Sequence, residues 1–136
     1  MNNIVFTDLD ILRIIKSIEK ARHTKSICNA EAESLLKKII QSEIVKPMDI
    51  PSDIVTMNSV VEFKFIITGK TEIIQIVYPD KENMKENKIS ILSSLSTALI
   101  GNRVKDIIEW NKQSTMTELL IDRILYQPEA SDDFPL

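Results

Sequence analysis

The side chains most able to do chemistry lie close together in the sequence, between Arg22 and Glu33. Cys28 is the single cysteine of the chain and His23 is the single histidine. A nucleophilic thiol needs a positioned base, and a zinc ion needs more ligands than this neighbourhood offers. We therefore interpret Cys28 as a residue without a catalytic role, and we expect no catalytic residue, no metal and no cofactor.

The same part of the chain is basic. Residues 11 to 40 contain seven lysines and arginines against three glutamates, a balance of +4, whereas the whole chain has a net charge of −3. The remainder therefore carries −7, an asymmetry that predicts two parts with different surroundings, with a solvated helical face as the simpler alternative. Direct contact with nucleic acid is at most secondary, because the net charge is negative and no aromatic residues alternate with the basic ones.

Two amphipathic helices are predicted to position these residues. The first begins at Thr7, whose hydroxyl can cap it, and has an apolar stripe up to Ala21 with Asp10 on its outer face. The second has a similar stripe from Ala32 to Ile44. A short polar link joins them, so the helices should pair antiparallel and leave the link at the free tip of a hairpin.

Interaction chemistry is common at exposed tips. We predict that a partner protein contacts two sets of side chains on this hairpin. The tip set consists of Arg22, His23, Lys25, Asn29, Glu31 and Glu33. The basic-face set consists of Arg13, Lys16, Lys20, Lys37 and Lys38.

Pro47 and Pro51 end the second helix, because each lacks a backbone donor. We place a domain boundary there, with the helical hairpin at 1–46 and a second domain at 47–136. Alternating apolar residues predict a β-hairpin that turns at Gly69, and a last strand that ends at Tyr126. The acidic tail that follows is expected to be loosely ordered. The predicted fold class is α+β, a short helical hairpin followed by an antiparallel sheet with one short helix.

The stretch from Lys88 to Trp110 has the longest continuous pattern of the second domain. Its periodicity predicts a strand, a short helix over residues 94 to 100 and a second strand. Ser94 or Ser96 can cap the helix, and Gly101 can end it in a left-handed conformation.

Composition limits the compartment. A single cysteine cannot form an internal disulfide, no apolar run reaches the roughly 18 residues of a membrane span, and the start of the chain lacks the features of a signal peptide. We therefore expect a cytoplasmic protein without a membrane segment, and a monomer.

Four stretches of the second domain resemble one family. They are DIVTMNS at 53–59, VYP at 77–79, the block at 89–110 that contains ALIGNRV, and YQPE at 126–129. In this order and spacing they are similar to the Rnk family, the regulators of nucleoside diphosphate kinase, which is related to the GreA/GreB transcript-cleavage (elongation) factors. The resemblance covers essentially the whole chain.

The resemblance implies an FKBP-like C-terminal domain that follows a short N-terminal antiparallel coiled coil. It also implies a partner, because Gre factors bind bacterial RNA polymerase through the globular domain and insert a long coiled coil into the secondary channel. Two acids at the tip of that coiled coil help to hold a metal ion and promote RNA cleavage. Rnk-like proteins resemble binders of the same entrance whose shorter coiled coil does not deliver cleavage.

Glu31 and Glu33 are the only acids near the tip that could imitate those paired carboxylates. Residues two apart on a helix point in different directions, so we interpret them as acids that favour a helix start, with a polymerase contact as the alternative. Helices of these lengths allow an arm of about 20 Å. Lys105 stands where the family has a glycine, and residues 111–114 stand where it has a Pro-Gly-Gly turn, which predicts changed loops on an unchanged fold.

We therefore predict a non-enzymatic transcription regulator that binds RNA polymerase at the secondary channel, competes with Gre factors and does not cleave transcripts. The alternative is a protein-interaction module that influences nucleoside diphosphate kinase or nucleotide metabolism through another partner. A prolyl isomerase, which an FKBP-like fold suggests, would need a concave aromatic-lined pocket that the sequence does not indicate.

Overall fold

The computed structural model describes residues 4–25, 29–112 and 115–131, and it contains three helices, a two-stranded ribbon and a five-stranded sheet. In chain order the elements are β1 (Val5–Thr7), α1 (Asp8–His23), α2 (Asn29–Ile40), β2 (Glu43–Val45), β3 (Val60–Phe65), β4 (Thr71–Val77), β5 (Lys88–Ser90), α3 (Ser94–Leu99), β6 (Ile107–Lys112) and β7 (Thr115–Tyr126). The α+β class with a helical N-terminal part is confirmed. The predictions for Cys28, for the turn at 113–114 and for the tail beyond 131 lie outside the described residues.

The larger sheet has the strand order β5-β4-β3-β7-β6. Its neighbours pair antiparallel except β4 and β5, which are parallel, so the predicted all-antiparallel sheet is wrong at this edge. A parallel pair needs a crossover, and two short 3-10 turns, Pro79–Lys81 and Met84–Glu86, provide it. The β3–β4 hairpin instead closes directly through Gly69, which has a φ of +75°.

A parallel ribbon of β1 and β2 lies at the root of the two long helices. The N–H of Glu43 donates to the carbonyl of Ile4 at 2.8 Å, so the backbone leaves the helical pattern at this point. The predicted helical stripe is therefore wrong at Ile44, which lies in β2 and is 59% exposed. Because β1 leads into α1 and α2 leads into β2, the ribbon places both roots side by side and the helices run antiparallel.

The predicted succession of strand, short helix and strand is confirmed as β5, α3 and β6. The cap of α3 is Ser93, whose Oγ accepts the Ser96 N–H at 3.2 Å, so the prediction of Ser94 or Ser96 is wrong by one or more residues. The side chain of Ser94 serves another purpose, because its Oγ accepts the indole N–H of Trp110 at 3.0 Å.

Two left-handed residues shape the connection from α3 to β6. Gly101 has a φ of +82°, and a Cβ atom there would lie 2.7 Å from Ile4 Cγ2 and 3.0 Å from the ring of Phe6. The glycine is therefore required both by its conformation and by the close approach of β1. Lys105, at the position where a glycine was expected, adopts a φ of +79°, which is uncommon for a residue with a Cβ.

One hydrophobic core joins the helices and the sheet. Ile14 and Ile18 of α1 and Leu35 of α2 are at most 1% exposed, and they belong to the same cluster as Phe63 of β3 and Ile121 of β7. Side chains from both sides of the predicted boundary near residue 46 thus contribute to one core. Within the described ranges, no helix has the length and apolar character needed to cross a membrane.

Candidate functional site

The hairpin of α1 and α2 lies along the part of the chain that contains β3 to β7 and α3, which we call the sheet domain, with a groove on each side. On the α1 side, Lys20 and Pro79 border a space of about 390 Å³. On the α2 side, Glu31 and Trp110 border a space of the same size. The grooves are bordered by the last turn of α1 and the first turn of α2, so these two turns lie beside the sheet domain.

The C-terminal end of α1 carries the first part of the predicted tip set. Arg22, His23 and Lys25 are exposed. The helix ends where the Thr24 hydroxyl donates to a carbonyl one turn earlier at 3.2 Å, and Lys25 has a φ of +58°. Basic groups at this end interact favourably with the helix dipole. Asn29 begins α2, and its side chain lies outside the described set.

The two tip acids, Glu31 and Glu33, are both exposed but are not brought together. Glu31 borders the groove opposite Trp110, whereas Glu33 lies about 200° further round the helix. Among the described residues, no three His, Cys, Asp or Glu side chains converge on a position where they could hold a metal ion.

The residues of the predicted basic face do not all lie at the surface. Lys16, Lys20 and Lys37 are exposed, and Arg13 is half-buried. Lys38 does not belong to this face, because its ammonium group points into the molecule and is held there by internal acceptors. The prediction of Lys38 as a surface contact is therefore wrong.

Three oxygens hold the ammonium group of Lys38. Its Nζ donates to the carbonyls of Thr97 at 2.7 Å and Ala98 at 3.0 Å, and to Oδ1 of Asn102 at 2.7 Å. Carbonyls at a helix C-terminus lack partners within the helix and favour a cation. Burial lowers the pKa of Lys38 to about 7, but the charge of Asp106 and the three hydrogen bonds favour the ammonium form. Lys38 thus fastens α2 to the end of α3.

A carboxyl group performs the corresponding task for α1. Asp10, predicted on the outer face, is buried with 3% of its surface exposed. Its N–H donates to Thr7 Oγ1 at 3.0 Å, which confirms Thr7 as the cap, and its carboxylate accepts the Met57 N–H at 3.1 Å. Burial raises the pKa of Asp10 to about 7; the Met57 N–H and Arg13 oppose this change, and the negative charge of Glu129 adds to it.

The YQPE segment brings a second buried carboxyl group to the same place. Glu129 is 7% exposed, and its Oε1 accepts the Thr56 hydroxyl at 2.8 Å. The other oxygen, Oε2, has no hydrogen-bond partner among the described residues, and burial raises the pKa of this carboxyl group. Gln127 donates to two backbone carbonyls at 2.9 and 2.7 Å. The predicted loose tail is therefore wrong for its first three residues.

Tyr78 and Arg13 complete this arrangement. Burial raises the pKa of the Tyr78 hydroxyl well above its usual range, the charge of Asp10 acts in the same direction, and Arg13 opposes both. We refer to five of these residues, drawn from α1 and from the motifs VTMNS, VYP and YQPE, as the root cluster. They are Asp10, Arg13, Thr56, Tyr78 and Glu129. Three of the four stretches that carry the family resemblance thus meet beneath the first turns of α1.

Sequence reasoning missed the root cluster and the inward position of Lys38. A signal for Asp10 was present, because it precedes Ile14 by four residues and Ile18 by eight and so shares their helical face. Lys38 likewise follows the buried Leu35 by three residues. For Glu129 no such signal exists, since it lies beyond the end of β7, where no helical or strand periodicity assigns it to a face.

Comparison with known proteins identifies relatives over nearly the whole chain. Residues 50–126 match the family described as transcription elongation factor, GreA/GreB, C-term. The chain is 31% identical over 134 residues to the regulator of nucleoside diphosphate kinase of Escherichia coli (strain K12), which covers 98% of this chain and 96% of that protein. It is 34% identical over 107 residues to the transcription elongation factor GreA of Buchnera aphidicola subsp. Cinara cedri, covering 78% and 67% of the two chains.

Solved structures agree with these relatives. The prokaryotic transcription elongation factor GreA/GreB from Nitrosomonas europaea superposes with a TM-score of 0.73 at 28% identity, over 93% of this chain and 100% of that one. The transcription factor Gfh1 has a TM-score of 0.52 at 21% identity, over 91% of this chain and 98% of that one. At that lower identity the likeness shows the fold alone.

Proposed function

This chain belongs to the GreA/GreB family and, within it, to the regulators of nucleoside diphosphate kinase, and we propose that it regulates transcription by binding bacterial RNA polymerase. In this proposal it binds at the secondary channel, competes there with Gre factors and does not promote transcript cleavage. The observation that carries the proposal is the combination of a GreA/GreB C-terminal domain with near full-length similarity to one regulator.

The arrangement of the hairpin supports a role as one rigid binding unit. Lys38 fastens α2 to α3, and Asp10 fastens α1 to the segment that contains Met57. The exposed cations of the hairpin are therefore presented at a fixed position relative to the sheet domain. In our proposal the sheet domain anchors the chain on the polymerase, and Arg22 and Lys25 at the tip lie at the mouth of the channel.

The absence of cleavage activity is proposed from the helix lengths and the acids. The 16 residues of α1 span about 24 Å and the 12 residues of α2 span about 18 Å. Glu31 and Glu33 point in different directions and cannot jointly hold one ion at the tip. We therefore propose that the short hairpin binds at the secondary channel and does not promote transcript cleavage there.

Capture on immobilised bacterial core polymerase, with and without an excess of a GreA protein, tests the shared site. We expect capture that GreA reverses. The double variant Arg22→Glu/Lys25→Glu should bind at least ten-fold more weakly, and more weakly than Lys70→Glu/Lys85→Glu, which makes the same change of charge on loops of the sheet domain. Absence of capture, or capture that GreA does not reduce, would contradict the proposal.

A second assay addresses cleavage. Backtracked elongation complexes with Mg²⁺ should release no additional short RNA when this chain is added, while a GreA protein in parallel should release it. Cleavage that depends on the chain and disappears in Glu31→Ala and Glu33→Ala would overturn the non-enzymatic part of the proposal.

A second candidate function follows from the name of the Escherichia coli relative, regulator of nucleoside diphosphate kinase. In this alternative the chain acts through a partner other than the polymerase. Purified nucleoside diphosphate kinase, assayed with and without the chain, distinguishes the two functions. A direct complex or a changed rate in the absence of polymerase favours the alternative, and no effect disfavours it.

A further inference from the structure

The groove on the α1 side of the hairpin, which we name the α1 groove, has a polar wall and an apolar one. It encloses about 390 Å³. One wall is α1 itself, and the other consists of residues that follow β4 and β5. The side chains that define the two walls are Ser17, Lys20 and Ala21 on α1, and Pro79, Asp80 and Leu92 opposite.

The α1 groove begins at the root cluster. Arg13, Ser17 and Lys20 are spaced by four and three residues, so they lie in one row along α1. The opposite wall follows the same course, because Tyr78 of the root cluster is succeeded directly by Pro79. The charge of Arg13 acts on Tyr78, so the two walls approach each other at the root. A chain that leaves the root cluster therefore reaches the groove within about two turns of α1.

The α1 wall carries positive charge that is not neutralised by contacts. Lys16 and Lys20 are exposed, and Lys16 follows Arg13 by three residues and precedes Lys20 by four, so the three side chains are neighbours. None of these cations takes part in the ion pairs found among the described residues. Asp80 lies on the opposite wall. We therefore expect the carboxylates of an occupant to lie against α1.

The chain itself contains a segment with this chemistry. The last described residue, Ser131, comes two positions after Glu129 of the root cluster. Residues 132–136 follow, with the sequence Asp-Asp-Phe-Pro-Leu. Arg13 and Lys20 are seven helical residues apart, about 10 Å, whereas five extended residues span about 17 Å. The segment is therefore long enough to reach the groove from the root cluster.

We infer that residues 132–136 bind in the α1 groove of the same chain. In this arrangement the two aspartates lie beside Lys16 and Lys20, and the apolar residues that follow them pack against Pro79 and Leu92. The order along the segment agrees with the order along the groove, because the cations begin at the root end and the apolar wall lies further towards the tip. The bound segment covers part of the predicted basic face, so a partner that contacts these lysines must displace it.

A nitroxide spin label at position 136 tests this inference in the full chain. Leu136→Cys combined with Cys28→Ser leaves one thiol for the label. In the isotope-labelled protein the amide signals of Ser17 and Leu92 should broaden more strongly than that of Thr97, which borders the groove on the α2 side. Equal broadening at the two grooves, or none at either, would overturn the inference.

A chain that ends at Ser131 provides a second measurement without a label. Relative to the full chain, its amide signals at Lys20 and Leu92 should shift more than the signal of Thr97. The deletion removes none of the described residues, so the remaining spectrum reports whether the fold is retained. Shifts confined to the immediate neighbours of Ser131 would contradict the inference.

Matched variants of the labelled chain measure the part played by charge. Lys16→Gln/Lys20→Gln should reduce the broadening at Leu92 at least two-fold. This reduction should exceed that of Lys70→Gln/Lys85→Gln, which makes the same change of charge on loops of the sheet domain. Equal reductions in the two double variants would contradict the pairing of the aspartates with α1.

A mixture of two preparations distinguishes the same chain from a second copy. Spin-labelled chains without isotope are added to isotope-labelled chains without a spin label. We expect no broadening at Ser17 or Leu92 in this mixture. Broadening there would assign the α1 groove to the segment of another copy and overturn the inference. None of these measurements involves the polymerase, so failure of polymerase capture and failure of this inference are separate results.

Discussion

The two helices of the hairpin are fastened to the sheet domain by buried ionisable groups of opposite charge, and the two groups differ in how completely they are satisfied. Lys38 on α2 donates to three oxygens. The carboxylate of Asp10 on α1 accepts the backbone N–H of Met57 and forms a hydrogen bond with the Thr7 side chain, and it has a second carboxyl group, Glu129, near it.

This difference shows what decides whether a buried group keeps its charge. An ion removed from water is tolerated when hydrogen bonds replace its hydration, and otherwise it changes its protonation state. Lys38 has as many acceptors as its ammonium group has protons. Asp10 has fewer partners than its two oxygens can use, so its pKa rises towards neutrality. Burial moves the pKa of both groups to about 7, so we expect both fastenings to respond to pH near neutrality, with Lys38 the better satisfied of the two.

Loss of the Lys38 fastening should have the largest effect. Lys38→Met leaves the carbonyls of Thr97 and Ala98 and the side-chain oxygen of Asn102 without their donor, and we expect the free energy of unfolding to fall by about 3 kcal/mol or more. Urea unfolding at pH 7.5 measures this. The control Lys37→Met, on the exposed neighbour, should change it by about 0.5 kcal/mol or less. Equal effects of the two variants would contradict the role of Lys38 as the donor that fastens α2 to α3.

The second prediction concerns pH. The pKa of Asp10 rises from 3.8 to about 7 on folding, so the folded state holds this proton more tightly. Its contribution to stability is then fully present below about pH 4 and is lost as the pH rises through 7. Between pH 5 and pH 8 the free energy of unfolding should fall by about 3 kcal/mol at most. The ionisable groups that face Asp10 are Glu129, Arg13 and Tyr78.

Asp10→Asn isolates this contribution, because the amide oxygen can still accept the Met57 N–H. The variant should exceed the stability of the natural chain by a small margin at pH 5 and by a larger margin at pH 8. Asp8→Asn, on the exposed neighbour whose pKa is lowered mainly by its hydrogen bond with Lys46, should not reproduce this pattern. If the difference in stability between the natural chain and Asp10→Asn did not change with pH, the prediction would be contradicted.

A smaller effect is expected from the second carboxyl group of the root cluster. Glu129→Gln keeps an acceptor for the Thr56 hydroxyl and removes the negative charge that raises the pKa of Asp10. In this variant, the pH at which the stabilisation from Asp10 is lost should therefore be lower than in the natural chain. Urea unfolding across pH 5 to 8 measures the midpoint, and an upward movement would show that Glu129 does not act on Asp10 through its charge.

The smallest effect should come from an ion pair at the surface of the hairpin root. Lys46 Nζ lies 2.8 Å from Asp8 Oδ2, but the two side chains are 74% and 40% exposed. Exposed pairs contribute little, since water already solvates both charges. Lys46→Met should leave the urea midpoint almost unchanged. A decrease in the free energy of unfolding comparable to that of Lys38→Met would mean that the stabilisation from such contacts depends on their length and not on their burial.

Much of the fold was predictable because local patterns determine it. The capping role of Thr7, the turn at Gly69 and the left-handed Gly101 follow from neighbours along the chain, and the structure confirms each. The end of α2 was not predictable, because the Glu43 N–H is satisfied by Ile4, about forty residues earlier. The parallel pairing of β5 likewise depends on where a polar crossover returns the chain.

The candidate site was less predictable than the fold. The exposed tip residues Arg22, His23 and Lys25 were placed correctly on the surface, but two neighbouring lysines, Lys37 and Lys38, proved to have opposite roles. Their sequence contexts are nearly identical. Only the position of α3 beneath α2 makes one of them an internal donor.

The sequence by itself determined the family, the order of the elements and the local turns and caps, since these depend on residue types and on spacing over a few positions. The tertiary structure alone decided which polar groups are buried and what satisfies them. Asp10, Glu129 and Lys38 are polar residues. Each one fastens two segments together because its hydrogen-bond partner comes from a segment that is distant in the chain. The free energy of a buried polar group depends on those partners, and no local pattern encodes them.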